Sequence, residues 1–95
     1  MLLARDIAPR AVGQLLREQP LTPAKVRFAW QTSVGASMGR ATSVALGNDG
    51  TLTVRTSGEH WRRETTRSAR VIKQRMAELL GQNVVKRIAV AGKGS

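Results

Sequence analysis

Six basic residues fall between Arg62 and Arg75, with a single acid, Glu64, among them. A guanidinium is a planar fork that donates paired hydrogen bonds to phosphate, and a Lys ammonium is a compact positive charge, so this cluster suits a polyanion backbone. At about 100° per residue on a helix, Arg63, Arg67, Arg70 and Gln74 share one face, flanked by Arg62 and Lys73. The three guanidiniums of that face line up over about 10 Å and can follow successive phosphates. A face serving solubility alone would mix signs, because like charges four residues apart repel. Arg55 and Arg40 upstream, with Lys25 and Arg27 before them, are candidates to extend the same surface.

Other chemistries lack their parts. His60 stands alone, Glu59 is explained by a helix cap and Glu64 by an ion pair with a neighbouring Arg. No arrangement of nucleophile, base and orienting group emerges. Gly35-Ala36-Ser37-Met38-Gly39 lacks the Gly-Lys-Ser/Thr ending that gives phosphate loops their chemistry, so no nucleotide hydrolysis is expected. The chain has no cysteine, one histidine and six acids, which argues against a metal cage, and neither a cofactor nor a small-molecule substrate is expected. The formal net charge of +10 instead attracts polyanions, since each cation placed near a phosphate releases condensed counterions. Nucleic acid is the favoured partner on this logic, ahead of an acidic protein or a membrane surface.

The elements that must position these residues can be read from period and punctuation. Ninety-five residues make one domain over 1–95, with a core over about 10–91 and a short polar tail over 92–95. Val12, Leu15 and Leu16 form an apolar stripe on a helix over Arg10 to Gln19, which Pro20 stops. Thr22-Pro23 is an N-cap followed by proline at the first helical position and predicts a second helix from Pro23 to about Val34. Val26, Ala29, Trp30, Ser33 and Val34 share its face, with Phe28 opposite. Gly35 and Gly39 loosen the chain before a strand from Ala41 to Leu46. Gly47-Asn48-Asp49-Gly50 then signals a hairpin turn, and Thr51 to Thr56 alternates with Leu52 and Val54 inward. Thr56-Ser57-Gly58-Glu59 has capping-box spacing, predicting a helix from Glu59 to about Leu80 closed by Gly81. Trp61, Thr65, Ser68, Ala69, Ile72, Met76 and Leu79 should face the core, and Asn83 to Val90 should be a final strand. The expected class is α+β, in the order ααββαβ.

Only three aromatics are present, and two are tryptophans, each in a recognisable frame: Ala29-Trp30-Gln31-Thr32-Ser33-Val34-Gly35 and Glu59-His60-Trp61-Arg62-Arg63-Glu64. Both fall on expected core faces, so both are read as anchors with partnered indole N–H groups, with stacking on bases the alternative use. The start, Met1-Leu2-Leu3-Ala4-Arg5, is too short and too soon charged for a signal peptide, and no apolar run is long enough to span a bilayer. A cytoplasmic location is expected.

Taken in order, Trp30-x-x-x-Val34-Gly35, Gly50-Thr51-Leu52-Thr53-Val54-Arg55, Trp61-x-x-Glu64, the helix end Leu79-Leu80-Gly81 and the strand Val84-Val85-Lys86-Arg87-Ile88 resemble the DciA family, bacterial loaders or operators of the replicative DNA helicase. The resemblance runs from about Val12 to Ala91. It implies a fold similar to the type II K-homology domain, a three-stranded sheet packed on helices. It also implies binding to a DnaB-type helicase, help in loading it, and affinity for single-stranded or forked DNA. By position, Trp30, Val34, Gly35, Leu52, Val54, Trp61 and Leu79 match the family's structural signature, and the basic residues of the long helix and hairpin are those its DNA binding would call on. K-homology domains that grip nucleic acid use a Gly-x-x-Gly loop between two helices, whereas an unbroken helix takes that place here. Many members also carry a long disordered extension that contributes to helicase contact; this sequence ends five residues after Val90, leaving that contact weaker, confined to the folded domain, or lost. The competing readings are an RNA-binding K-homology module and a basic adaptor that meets only protein.

Overall fold

The computed structural model describes residues 18–91. The expected helix over Arg10 to Gln19 lies outside the described residues apart from its last two positions, and the tail over 92–95 lies wholly outside them.

Helix α1 spans Pro23–Val34 and begins as its sequence dictates: Thr22 sits in extended conformation, its Oγ1 accepts the Lys25 N–H at 3.1 Å, and Pro23 fills the first turn. Gly35, at φ +86°, ends the helix, and its N–H donates to the Gln31 carbonyl at 2.9 Å. The chain does not loosen after it. Helix α2 spans Ala36–Ala41, a correction to the sequence reading. Gly39 leaves room beside α1 for the end of the Gln31 side chain, which a Cβ would displace and whose amide donates to the Gly39 carbonyl at 3.2 Å.

Strand β1 (Thr42–Leu46) and strand β2 (Thr51–Thr56) form the expected hairpin, with Val44 opposite Val54 and Leu46 opposite Leu52. Gly50 adopts φ +84° in the turn, and the Asp49 carboxylate accepts the Thr51 N–H at 3.0 Å. That hydrogen bond, more than nearby Arg87, holds the Asp49 carboxyl below its ordinary range.

Helix α3 spans Glu59–Leu80, unbroken, and closes at Gly81 with φ +107°. The capping box is absent. Gly58 occupies the cap position without a side chain to offer, because Thr56 is the last residue of β2 and is buried there, its hydroxyl turned to the Gly58 carbonyl at 3.4 Å. Glu59 pairs with Arg62 instead. The last strand is also shorter than expected. Residues 82–85 turn, with Asn83 in the left-handed region at φ 68°, and β3 covers only Arg87–Val90. The turn brings the Lys86 and Arg87 N–H groups to the Gly50 carbonyl at 2.8 and 3.2 Å, which sets β3 in register beside β2.

The sheet has the order β1-β2-β3, antiparallel between β1 and β2 and parallel between β2 and β3. This is an α+β, K-homology-like fold with one mixed sheet packed on helices. Leu52 and Val54 of central β2 are fully enclosed, and Val26, Ala29 and Trp30 of α1, Ile72, Met76 and Leu80 of α3, and Val85 close over them. Burying side chains of this size contributes roughly 1.5–3 kcal/mol each, which is what fixes α3 on that side of the sheet. Leu80 rather than Leu79 completes the buried row of α3, with Leu79 only partly covered. The opposite sheet face, carrying Ser43, Ala45, Arg55, Arg87 and Ala89, is exposed.

Candidate nucleic-acid interface

The buried row Thr65, Ile72 and Met76 fixes the rotation of α3, and the opposite side of the helix necessarily carries Arg63, Arg67, Arg70 and Gln74, all exposed. Lys73 is exposed at their flank. Among the described residues Arg63, Arg70 and Lys73 have no acidic partner, while Arg67 reaches Glu64 only at 3.8 Å with its own side chain 77% exposed. A pair so open to water is worth little and leaves the guanidinium available to a better anion. The result is a row of guanidiniums over about 10 Å.

Two basic residues of the same helix are committed elsewhere. Arg62 is half-buried, donates Nε to the Glu59 carboxylate at 2.9 Å and makes a second contact with it through Nη2. That hydrogen bonding and charge raise its pKa further, so its charge is permanent but already answered. Arg75 reaches across to the end of α1, where Nη1 donates to the Ser33 carbonyl at 2.8 Å. It therefore ties α3 to α1, satisfying a carbonyl that the helix end leaves open.

Lys25, Arg55 and Arg40 do not extend this surface. Lys25 is 7% exposed and its Nζ donates to the Gln19 carbonyl at 2.6 Å, so it serves the entry of α1. Arg55 alternates with the inward Val54 and Thr56 and emerges on the open face of the sheet. Arg40, at the end of α2, joins it there, and the two line a shallow groove of about 370 Å³ with Ser43 and Ser57. Arg87 occupies another corner of that open face, opposite Thr51 in the register, where Nη1 donates to Thr51 Oγ1 at 2.8 Å. Sequence reasoning singled out Arg87 only as a strand residue, since the parallel pairing that brings it to the sheet face is set by a turn with no periodic signature.

The two tryptophans differ. Trp30 is 1% exposed, and its Nε1 donates at 2.7 Å to Thr42 Oγ1, which donates in turn to the Met38 carbonyl at 2.7 Å. Its ring is closed off from any base. Trp61, expected in the core, is half-buried and lies outside the core cluster, with the His60 ring edge-on at a centroid distance of 4.9 Å.

Among the described residues there is no cluster of three or more metal-ligating side chains, and no helix long and apolar enough to cross a membrane. A small, basic, K-homology-like α+β domain whose principal helix turns a cationic row to solvent belongs, by construction, to the class of compact scaffolds displaying positive charge. More particularly, the chain belongs to the DciA family: the family model described as Dna[CI] antecedent, DciA, matches residues 3–90. That family is associated with loading of the DnaB-type helicase, which gives the chain a replication accessory role at family level. A search of curated proteins finds no match.

Proposed function

We propose that this chain is a non-enzymatic accessory protein of bacterial DNA replication that holds single-stranded or forked DNA on the outer face of α3, docks on a DnaB-type replicative helicase and promotes its loading. The observation that carries the DNA half of this reading is the row Arg63, Arg67 and Arg70 with Lys73 beside it, exposed along a helix whose other side is locked into the core. Binding through phosphate contacts is independent of sequence and weakens steeply with salt. Family membership supports the helicase half. A cytoplasmic location accords with both.

The unbroken α3 offers no Gly-x-x-Gly grip of the kind a sequence-reading K-homology module uses, which favours the helicase-accessory reading over the RNA-binding one. The test is a loading reaction containing the replicative helicase of the same organism, forked DNA and ATP, read by strand separation. Stimulation is expected with the wild-type chain and is expected to fall severalfold with R63E/R67E/R70E. The same variant should lose about 2 from the slope of log affinity against log salt for single-stranded DNA, about 0.7 for each phosphate contact removed. An unchanged slope would overturn α3 as the DNA surface, and full stimulation by this variant would separate helicase loading from DNA binding by this domain.

A further inference from the structure

The open face of the sheet is a second cationic surface, and it lies back to back with the first. Arg55 points away from the core because Val54 and Thr56 point into it, and α3 packs on that core side. A helix with its side chains, roughly 10 Å thick, therefore separates the open sheet face from the Arg63/Arg67/Arg70 row. Besides Arg40 and Arg55, the described residues that line their groove are Ala41, Thr42, Ser43, Thr56 and Ser57, all small and neutral. It continues along the sheet over Ala45 and Thr53, small side chains on which an extended backbone can lie close. Arg87 stands about 13 Å further along the strand direction, since its register partner Thr51 is four residues from Arg55. No aromatic side chain belongs to this face, so it offers phosphate contacts without base stacking.

The geometry points to a domain that holds two nucleic-acid strands at once, one along α3 and a second across the open sheet face through Arg40 and Arg55, as two strands diverging from a fork would present themselves. This rests on the reading of α3 as a strand-binding surface and adds to it a second surface and a stoichiometry. A single short strand cannot serve both faces without wrapping around the domain. Two diverging strands can, and binding both would hold them apart on either side of the protein.

The test is a bridging capture. An oligothymidylate is immobilised, the full chain is added, and retention of a second, fluorescently labelled oligothymidylate is measured; thymidylates cannot pair with each other. Wild-type protein should retain the second strand. R40E/R55E should still bind the immobilised strand while retention of the second falls about tenfold or more, as expected for loss of charge-assisted contacts. K86E, a charge reversal at an exposed position outside both proposed surfaces, should leave retention unchanged. If R40E/R55E bridges as well as wild type, or if wild type retains no second strand, the sheet face is not a second site; bridging by a dimer that used only α3 would give the first of these results. Failure of the α3 reading looks different: R63E/R67E/R70E would then match wild type both in binding the immobilised strand and in retaining the second, whereas with both faces in use it keeps only the sheet-face site and retains no second strand.

Discussion

Trp30 and Trp61 are the same residue type, each on a helix and each preceding a polar stretch, yet the protein uses them in opposite ways. Trp30 lies within α1 and is almost fully enclosed, and its indole N–H continues into a chain of hydrogen bonds through Thr42 to the Met38 carbonyl. That chain joins α1, β1 and α2. Trp61 sits in the first turn of α3, touches His60 of its own helix and remains half open to water. The difference lies in what the rest of the chain places over each ring, and the same distinction separates the parts of the molecule that hold the fold from those left for a partner.

Alanine substitution should expose this contrast most strongly. Trp30→Ala removes a fully enclosed ring and the hydrogen bond it donates to Thr42, and should cost about 3–5 kcal/mol in urea unfolding. Trp61→Ala removes a half-covered ring and should cost about 1–2 kcal/mol, in proportion to the smaller area buried. Equal losses would mean that Trp61 is covered in solution by a part of the chain beyond residues 18–91, and the contrast would dissolve. Emission offers a second view: Trp61→Phe should leave a Trp30 signal resistant to acrylamide, whereas Trp30→Phe should leave one that is quenched.

Much of the fold was legible because it rests on local rules. Thr22-Pro23 announced the start of α1, Gly47 to Gly50 the hairpin, and the apolar period of α3 both its length and the face its arginines take. What was not legible depends on tertiary choice. Thr56 has the residue type and spacing of a capping box, but its burial at the end of β2 leaves the hydroxyl no path to the helix amides. Val84 and Val85 have strand propensity, but the chain must turn there to bring β3 parallel to β2. Gly35 and Gly39 appeared to be loop punctuation, whereas one ends α1 and the other leaves room beside it for the Gln31 side chain. The same limit applied to the candidate site. The α3 row followed from the helical period, but the assignment of Arg55 and Arg40 to a different face of the molecule required the sheet's alternation and the side on which α3 packs.

The contrast sharpens with one substitution made at two threonines, for which the structure requires opposite signs. Thr42 Oγ1 accepts from Trp30 and donates to Met38, so Thr42→Val leaves a buried indole N–H and a carbonyl without partners and should cost about 1–3 kcal/mol. Thr65 is fully enclosed on the inner face of α3, and its hydroxyl has no hydrogen-bond partner. Valine has nearly the same shape and helix propensity, so Thr65→Val removes a desolvated polar group while keeping the packing. It should be neutral or stabilise the protein by up to about 1 kcal/mol, read as a rise in the urea midpoint with an unchanged slope. The Thr65 result is the smaller and the more discriminating of the two. A gain would show that the inner face of α3 is held by packing alone, in contrast to the hydrogen-bonded seat of Trp30. A loss greater than about 1 kcal/mol would show that the Thr65 hydroxyl finds a partner in solution, and the two faces of the core would then be held by the same kind of contact.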